Sequence, residues 1–500
     1  MVDIVSILQS HERVNIEVKA AKGGIPNSIW ETYSSFANTF GGTIILGIEE
    51  DKVTKEFIPC GVVNPQQMLS DIWNTLNNSQ KISTNILLEH HVYSLEYNGM
   101  HFIVMEVPRG GPPRGDRRDK PVFVGQDMFK GTFRRNHEGD YRCSGAEVKA
   151  MLRDQADTPQ DALMLENLLN SDLNPESIRR YRIMFNNLKP GHIWSKLDDE
   201  EFLLKIGAAR KGQHDGKVHP TLAGLLFFGD YITITNELPQ YFLDYRERLS
   251  NDTRWSDRVC SNDSNWSGNI FDFYFKIIDR LTADVKRPFA LNSDLQRIDD
   301  TPVHKALREC LANALIHADY YGRRGIVIDK EFRKISISNP GTFRISVDEA
   351  IAGGISDARN GRIFNMFSLI NVGERSGTGL CDVYNIWEES GFRRPELVET
   401  VNPDRITLTL EIKLDNASKS DGENDGENDG ETVNEYADLN KTQRRVYEEI
   451  KKGPTAPAED IAKSLGVSRP TIERAISVLK KKGYIIRDGG AKGGKWTPQK

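Results

Sequence analysis

Glu309, Asn313 and His317 recur every fourth residue in the segment Leu307–His317. On a helix that spacing stacks a carboxylate, a carboxamide and an imidazole along one face. Leu307, Cys310, Leu311, Ala314 and Leu315 fall at helical spacing on another face, which would meet a core. The polar row suits a nucleotide. An amide oxygen is a ligand for Mg2+, which prefers oxygen donors, and a carboxylate can orient or deprotonate a water. A solvated helix surface is the plainer alternative.

The downstream sequence favours the nucleotide. Ile335-Ser336-Ile337-Ser338 alternates like a strand and runs into the turn Asn339-Pro340-Gly341. Gly373-Glu374-Arg375-Ser376-Gly377-Thr378-Gly379-Leu380 is a glycine-rich turn opening a helix, which brings backbone N–H groups close to phosphates. In this order the motifs resemble the GHKL ATPase fold of gyrase, histidine kinases and MutL. They look most like the divergent branch found in Schlafen-AlbA-containing bacterial proteins. The resemblance implies ATP and Mg2+, with Glu309 as the catalytic glutamate and Asn313 as the Mg2+ ligand. His317 completes the row. Asn339 and Gly341 stand where the adenine-reading motif lies, and Gly377 and Gly379 match the lid glycines. The family's Asp-x-Gly-x-Gly is reduced here to Asn339-Pro340-Gly341, and an Asn oxygen can still accept from the adenine amino group. Whether ATP is hydrolysed stays open.

Elements that could position such a site appear on both sides. Near the N-terminus Val14, Ile16 and Val18 alternate with Asn15, Glu17 and Lys19, a half-buried strand. Asn27 is a candidate N-cap for a helix with the stripe Ile29, Tyr33, Phe36, Ala37 and Phe40, closed by Gly41-Gly42. Thr43–Ile48 and Phe102–Val107 are apolar strands, and Phe129–Arg135 ends in basic residues. Glu12-x4-Glu17-x-Lys19, Phe40-Gly41-Gly42, Leu46–Asp51 and Gly-Thr-Phe-Arg-Arg at 131–135 together resemble the Schlafen AlbA domain over most of residues 1–145. That resemblance implies nucleic-acid binding, with Arg134 and Arg135 as phosphate contacts. In nuclease members, carboxylates at these places hold Mg2+ or Mn2+ for RNA cleavage; the candidates here are Glu12, Glu17 and an acid among Glu49, Glu50 and Asp51. The residues also allow a plainer reading, with Glu17 salt-bridged to Lys19 and Glu49–Asp51 at a hairpin tip. Arg109, Arg114, Arg117 and Arg118 make the neighbourhood basic.

The C-terminal end differs in kind. Asp421–Glu431 is a tandem Asp-Gly-Glu-Asn repeat, too acidic and glycine-rich to bury a core, and reads as a linker over 415–437. Residues 438–500 hold 15 Lys/Arg against 7 Asp/Glu, whereas 415–435 hold 8 acids and one lysine. Three helices followed by Tyr484–Arg487, two Gly-Gly pairs and Lys495–Thr497 resemble a winged helix-turn-helix domain. By that resemblance Arg469, Thr471 and Arg474 begin the recognition helix, and Lys480 and Lys495 reach backbone phosphates.

The 500 residues are too many for one core. The fold expected is α/β multidomain: an AlbA-like Schlafen domain at 1–150, a middle α/β region at 156–290, a GHKL-like α/β sandwich at 291–414, the acidic linker, and the winged helix-turn-helix. The net charge of −6 carries no global basic signature, and the five isolated cysteines suggest neither a zinc site nor a disulfide framework. No stretch is apolar enough for a bilayer or a signal peptide, so a cytoplasmic protein with no membrane contact is expected. The function expected is an ATP-binding regulator that engages DNA or RNA, as a homodimer or higher homo-oligomer. The alternatives are a metal-dependent endonuclease in phage defence and an interaction scaffold with a degenerate nucleotide pocket.

The opposed charges of linker and basic head give a first prediction. Deleting residues 420–431 should tighten DNA binding and steepen its dependence on salt, as read by fluorescence anisotropy across a salt series. An unchanged affinity and slope would remove the idea of a competing acidic tether.

Overall fold

Ile16 and Val18 do alternate into a strand, β1 (Ile16–Lys19), which pairs in parallel with β2 (Gly42–Leu46) so that Ile16 lies opposite Thr43. The computed structural model describes residues 14–414 apart from 52, 55, 111–120, 157, 249–254, 284–300, 355–356 and 374–378, together with scattered positions from 446 to 498. Two units result, Met1–Ile412 and Lys413–Lys500. Glu12, Gly377, Arg114, Arg117, Arg118, the acidic linker, Arg469, Thr471, Arg474 and the side chain of Lys495 lie outside the described residues.

Between β1 and β2 runs α1 (Ser28–Asn38), with Ile29, Tyr33, Phe36 and Ala37 fully buried. Asn27 does not cap it through its side chain, because its backbone is already helical. The first turn is closed instead by the carbonyls of Pro26 and Asn27, which accept from Ile29 and Trp30. Gly41 has φ +79°, and a side chain there would lie 2.8 Å from the Val107 carbonyl, so only glycine lets the chain turn back here. There follow β3 (Ile48–Glu50), β4 (Phe57–Pro59), α2 (Pro65–Leu76), β5 (Val92–Tyr97) and β6 (Met100–Val107). The sheet order is β1-β2-β6-β5. Then α3 (Met128–Gly131), β7 (Phe133–Asn136) and β8 (Gly139–Arg142) lead into α4 (Gly145–Gln155), which starts with a Ser144–Glu147 capping box.

The middle region supplies α5 (Pro175–Leu188), α6 (Asp199–Ile206), β9 (Ala209–Lys211), β10 (Val218–Pro220), α7 (Leu222–Phe228), α8 (Tyr231–Glu237), β11 (Leu243–Arg248), β12 (Asp257–Cys260) and α9 (Ile270–Thr282). Next come α10 (Pro302–His317), β13 (Ile326–Glu331), β14 (Lys334–Pro340), α11 (Val347–Ala352), α12 (Gly361–Leu369), α13 (Gly379–Glu389), β15 (Phe392–Thr400) and β16 (Arg405–Leu414). One six-stranded sheet joins the two regions in the order β12-β11-β13-β14-β16-β15. The boundary expected near residue 290 therefore runs through a sheet. β11 pairs in parallel with β13, Leu243 opposite Ile326, and both strands turn apolar residues into one core with α9, α10, α12 and α13. The sequence conceals this because the pairing is between strands some eighty residues apart.

That core is rich in aromatics. Tyr181 meets the rings of Phe227, Phe228 and Phe271 edge-on, and its hydroxyl donates to the Met366 carbonyl at 2.7 Å. Asp161, wholly buried, accepts from the Arg362 and Ile363 N–H groups at 2.7 and 3.0 Å and so caps α12. In the second unit Val446, Tyr447, Ile450, Ile461, Ile472, Ile476, Leu479, Tyr484 and Ile485 form a separate core, with Trp496 packed against it. Its hairpin, β17 (Ile485–Asp488) and β18 (Lys495–Pro498), is antiparallel, and Lys480 is an exposed helical residue.

Burial raises the Asp161 carboxyl to about 6, although the two N–H donors oppose the shift. Its folded pKa thus lies above its unfolded one, so it favours folding below pH 4 and loses that contribution as pH rises through 6. Asp161→Asn should therefore gain stability relative to wild type as pH rises from 5 to 7. Asp161→Ala should lose about 1–2 kcal/mol with the cap. Urea midpoints at three pH values test both; parallel pH curves for Asp161→Asn and wild type would refute the assignment.

Candidate nucleotide-binding site

Helix α10 begins at Thr301, whose Oγ1 accepts from the His304 N–H at 3.4 Å, with Pro302 in the first turn. Leu307, Cys310, Leu311, Ala314 and Leu315 bury one face. Glu309, Asn313 and His317, each half-buried, line a cavity rather than open solvent. The other walls include Asn339 at the end of β14, Thr342 to Ile345, Asp357 to Arg359, and Gly379 and Leu380 at the start of α13. The cavity floor is apolar, from Ile337, Val383, Leu397, Ile406 and Leu408.

Within the row, the Asn313 amide N–H donates to Glu309 Oε1 at 3.2 Å, which leaves the amide oxygen for another partner. The first turn of α13 passes close to this carboxylate: a side chain at Gly379 would lie 2.2 Å from the same Glu309 oxygen. Asn339 is 5% exposed, and its amide donates to the Pro340 carbonyl at 3.3 Å. Burial, then the neighbouring Arg359, hold the His317 imidazole down at about 4. It is neutral near pH 7 and offers a hydrogen bond rather than a charge.

Arg359, 8% exposed, organises the wall. Its guanidinium donates to the His317 carbonyl at 2.6 Å, the Thr342 carbonyl at 2.9 Å and both Asp154 oxygens at 2.8 Å. Burial opposes its charge, but Asp154 more than compensates and raises its pKa. Gly341, at φ +107°, is the glycine beneath it: a side chain there would lie 2.4 Å from Arg359 Nη1. The Asn360 amide donates to the Ile316 and Ala318 carbonyls at 2.9 and 2.8 Å, so the end of α10 is satisfied by the segment that opens α12. Arg344 lies 3.3 Å from Asp357. Arg359, Arg344 and Asp357 were not legible as site residues, since they lie in loops without periodicity, and Asp154 is a polar residue in the last turn of α4 whose partner is far away in sequence.

Further ion pairs tie this wall to the N-terminal domain. Arg109 grips Glu399 through two bonds of 2.5 and 2.6 Å and also donates to the Phe343 carbonyl at 2.7 Å. The Phe343 N–H in turn donates to Glu399 at 2.8 Å. Arg134 grips Asp404 at 2.6 and 3.0 Å, and Arg153 pairs with Asp319 at 2.9 Å.

Among the described residues, Glu17, Glu49 and Asp51 each have partners of their own. Glu17 lies 2.7 Å from Lys19 and 3.1 Å from Arg135. Glu49 lies 2.6 Å from Lys22, and Asp51 accepts from the Val53 and Thr54 N–H groups at the β3–β4 turn. Among the described residues no group of three or more His, Cys, Asp or Glu is arranged to hold a metal. Arg134 and Arg135, 6% and 5% exposed, are buried in ion pairs rather than spread on a basic surface.

Four family models match the chain. Residues 12–143 match "Schlafen, AlbA_2", 149–244 a domain of unknown function, 328–410 "Putative ATP-dependent DNA helicase recG C-terminal", and 439–486 "Winged helix-turn-helix DNA-binding". No curated protein matches. A crystal structure of the DIP2311 protein from Corynebacterium diphtheriae is similar at 17% identity and TM-score 0.39, over 99% of this chain and 96% of that one. The N-terminal domain of a RecG-related protein from Nitrosomonas europaea, solved by NMR, is similar at 23% identity and TM-score 0.23, over 29% of this chain and 94% of that one. At these scores neither likeness bears on function. No helix among the described residues is long and apolar enough to cross a membrane. The chain thus carries, in the order its motifs predict, a Schlafen AlbA_2 segment, a RecG-type ATPase-like segment and a winged helix-turn-helix DNA-binding segment.

Proposed function

We propose that this is a cytoplasmic, nucleic-acid-binding regulator in which Mg-ATP in the 309–379 cavity controls how the N-terminal domain is held. The observation that carries the reading is the shared wall. Phe343 and Arg359 line the cavity; Phe343 is bonded to Arg109 of the N-terminal domain and to the Glu399 carboxylate that Arg109 grips, and Arg359 is bonded to Asp154 at the end of α4. A ligand that moves this wall must disturb those ion pairs, which is the differential contact that coupling between two sites requires.

The donor set fits Mg-ATP. In such sites Mg2+ takes one or two protein oxygens and several from phosphates, which matches the free oxygen of Asn313. Asn339 supplies an acceptor for the adenine amino group, and the start of α13 offers N–H groups to phosphate. Glu309 is the candidate to orient an attacking water, and neutral His317 a hydrogen-bonding wall. Dimerisation on ATP binding is part of the proposal. Lys480, Lys495, Arg469, Thr471 and Arg474 are the proposed DNA contacts of the winged helix. For Glu17, Glu49 and Asp51, cation and N–H partners favour a binding role over metal-dependent cleavage.

Two outcomes test this reading. By calorimetry, Asn313→Ala should weaken Mg-ATP binding tenfold or more, about 1.4 kcal/mol, whereas Glu309→Ala should retain binding and lose any turnover. Equal titration curves for wild type and Asn313→Ala would remove this cavity from consideration. Second, Glu399→Gln combined with Asp404→Asn removes the carboxylate facing Arg109 and leaves Arg134 only Glu147, at 3.5 Å. That variant should bind single-stranded nucleic acid several-fold more tightly than wild type without ATP, and ATP should then add little; unchanged affinity would argue that these pairs are purely structural.

A further inference from the structure

The face of the six-stranded sheet turned away from the helices is polar. Arg246, Asp329, Ser336, Ser338, Thr407 and Thr409 lie on it half-buried, alternating with the buried core residues of the same strands. At its β11–β12 end the charge is concentrated. Arg246 lies directly opposite Arg258 across the strand pair. Like charges so placed repel, and such pairs persist only where something offsets them. Asp244, 0% exposed and two residues along the same face of β11, does so: it accepts from Arg246 Nε at 2.7 Å and from Arg258 Nε and Nη2 at 2.9 and 3.0 Å.

Both guanidiniums are thereby aimed at one half-buried indole. The Trp255 ring has Arg246, Arg248 and Arg258 at 5.5, 5.2 and 6.0 Å from its centroid. Arg248 is exposed and has no carboxylate partner among the described residues. The cationic field extends along the sheet. Arg405 is held below its usual pKa, first by burial, then by Arg324, with Arg246 adding to the effect and Asp329 opposing it. Three guanidiniums around one indole, two of them oriented by a buried carboxylate, exceed what packing needs.

We propose that this end of the sheet binds single-stranded nucleic acid, with a base stacking on Trp255 and adjacent phosphates taking Arg248 and Arg258. Stacking on an aromatic flanked by arginines is the sequence-tolerant mode by which single strands are held. A base that displaces one guanidinium from the ring leaves it free for the neighbouring phosphate. A duplex keeps its bases stacked inside, out of reach of an indole on a sheet, and an acidic peptide has no flat ring to stack. This surface is separate from the nucleotide cavity and does not rest on it.

The full chain, incubated with a twelve-residue oligothymidylate carrying 5-iododeoxyuridine, should photo-cross-link at Trp255, as mapped by mass spectrometry of the tryptic peptides. Trp255→Ala should lower affinity for unmodified oligothymidylate about tenfold, while Trp255→Phe should retain most of it. Arg248→Ala with Arg258→Ala should reduce the slope of log affinity against log salt by about 1.4, two phosphates at roughly 0.7 each. Melting curves identify any variant that has lost its fold, and for such a variant the cross-link on wild type decides. Absence of a Trp255 cross-link, or an unchanged affinity in folded Trp255→Ala, overturns the proposal. So does competition by a duplex or by polyglutamate as effective as that by oligothymidylate. Mg-ATP calorimetry on the same variants should be unchanged, which separates this surface from the cavity.

Discussion

Arg359 is the interaction on which the arrangement depends. Its guanidinium is nearly sealed from water, and a buried cation is tolerated only when its hydrogen bonds are met. Its partners come from three places: the end of α10, the loop after β14, and the last turn of α4. Satisfying one residue therefore fixes the last turn of the helix bearing Glu309, Asn313 and His317, the loop facing them, and the last turn of α4. A lysine could not do this, since a single ammonium lacks the planar fork that spans carboxylate and carbonyls together. Gly341 belongs to the same device, because the guanidinium passes where its side chain would be.

Local chemistry was legible in the sequence. The four-residue spacing of Glu309, Asn313 and His317 reports one helix face directly, and the structure turns that face into a cavity. The strand of Ile335 and Ile337 and the glycine opening α13 are also short-range signals, whereas Asn339 and Pro340, expected in a turn, extend that strand and pair with Ile406 and Arg405. Non-local pairing was not legible. That Asp154 would meet Arg359, or that β11 would lie beside β13, depends on contacts between segments tens to hundreds of residues apart. The charge of Arg109 and Arg134 was visible, but not that Glu399 and Asp404 meet them. Charge clusters in a sequence give a sign without a partner, and the partner decides whether the charge faces solvent or an interface.

Glu399 of β15 and Asp404 of the β15–β16 turn occupy arginines in the geometry a phosphate would use, two oxygens against two N–H groups. The N-terminal domain thus meets its neighbour through groups suited to a nucleic-acid backbone. Arg134 and Arg135 are both buried on adjacent positions of one strand, yet they point to different acids, Asp404 and Asp140 with Glu17. Only the first of these crosses to the neighbouring domain, so a change in domain contact would leave Arg134 with Glu147 alone, at 3.5 Å, and leave Arg135 in place.

The sheet shared across residue 290 has a practical corollary for anyone dissecting the protein. A fragment starting at the nucleotide motifs would strip β13 of its parallel neighbour, exposing a row of unpaired backbone groups and the apolar residues Ile326 and Ile328. Bare edges of that kind seek other strands and drive aggregation. Trimming from the left must therefore stop before the aromatic helices of the middle region, or the recovered material will be insoluble for reasons unrelated to nucleotide.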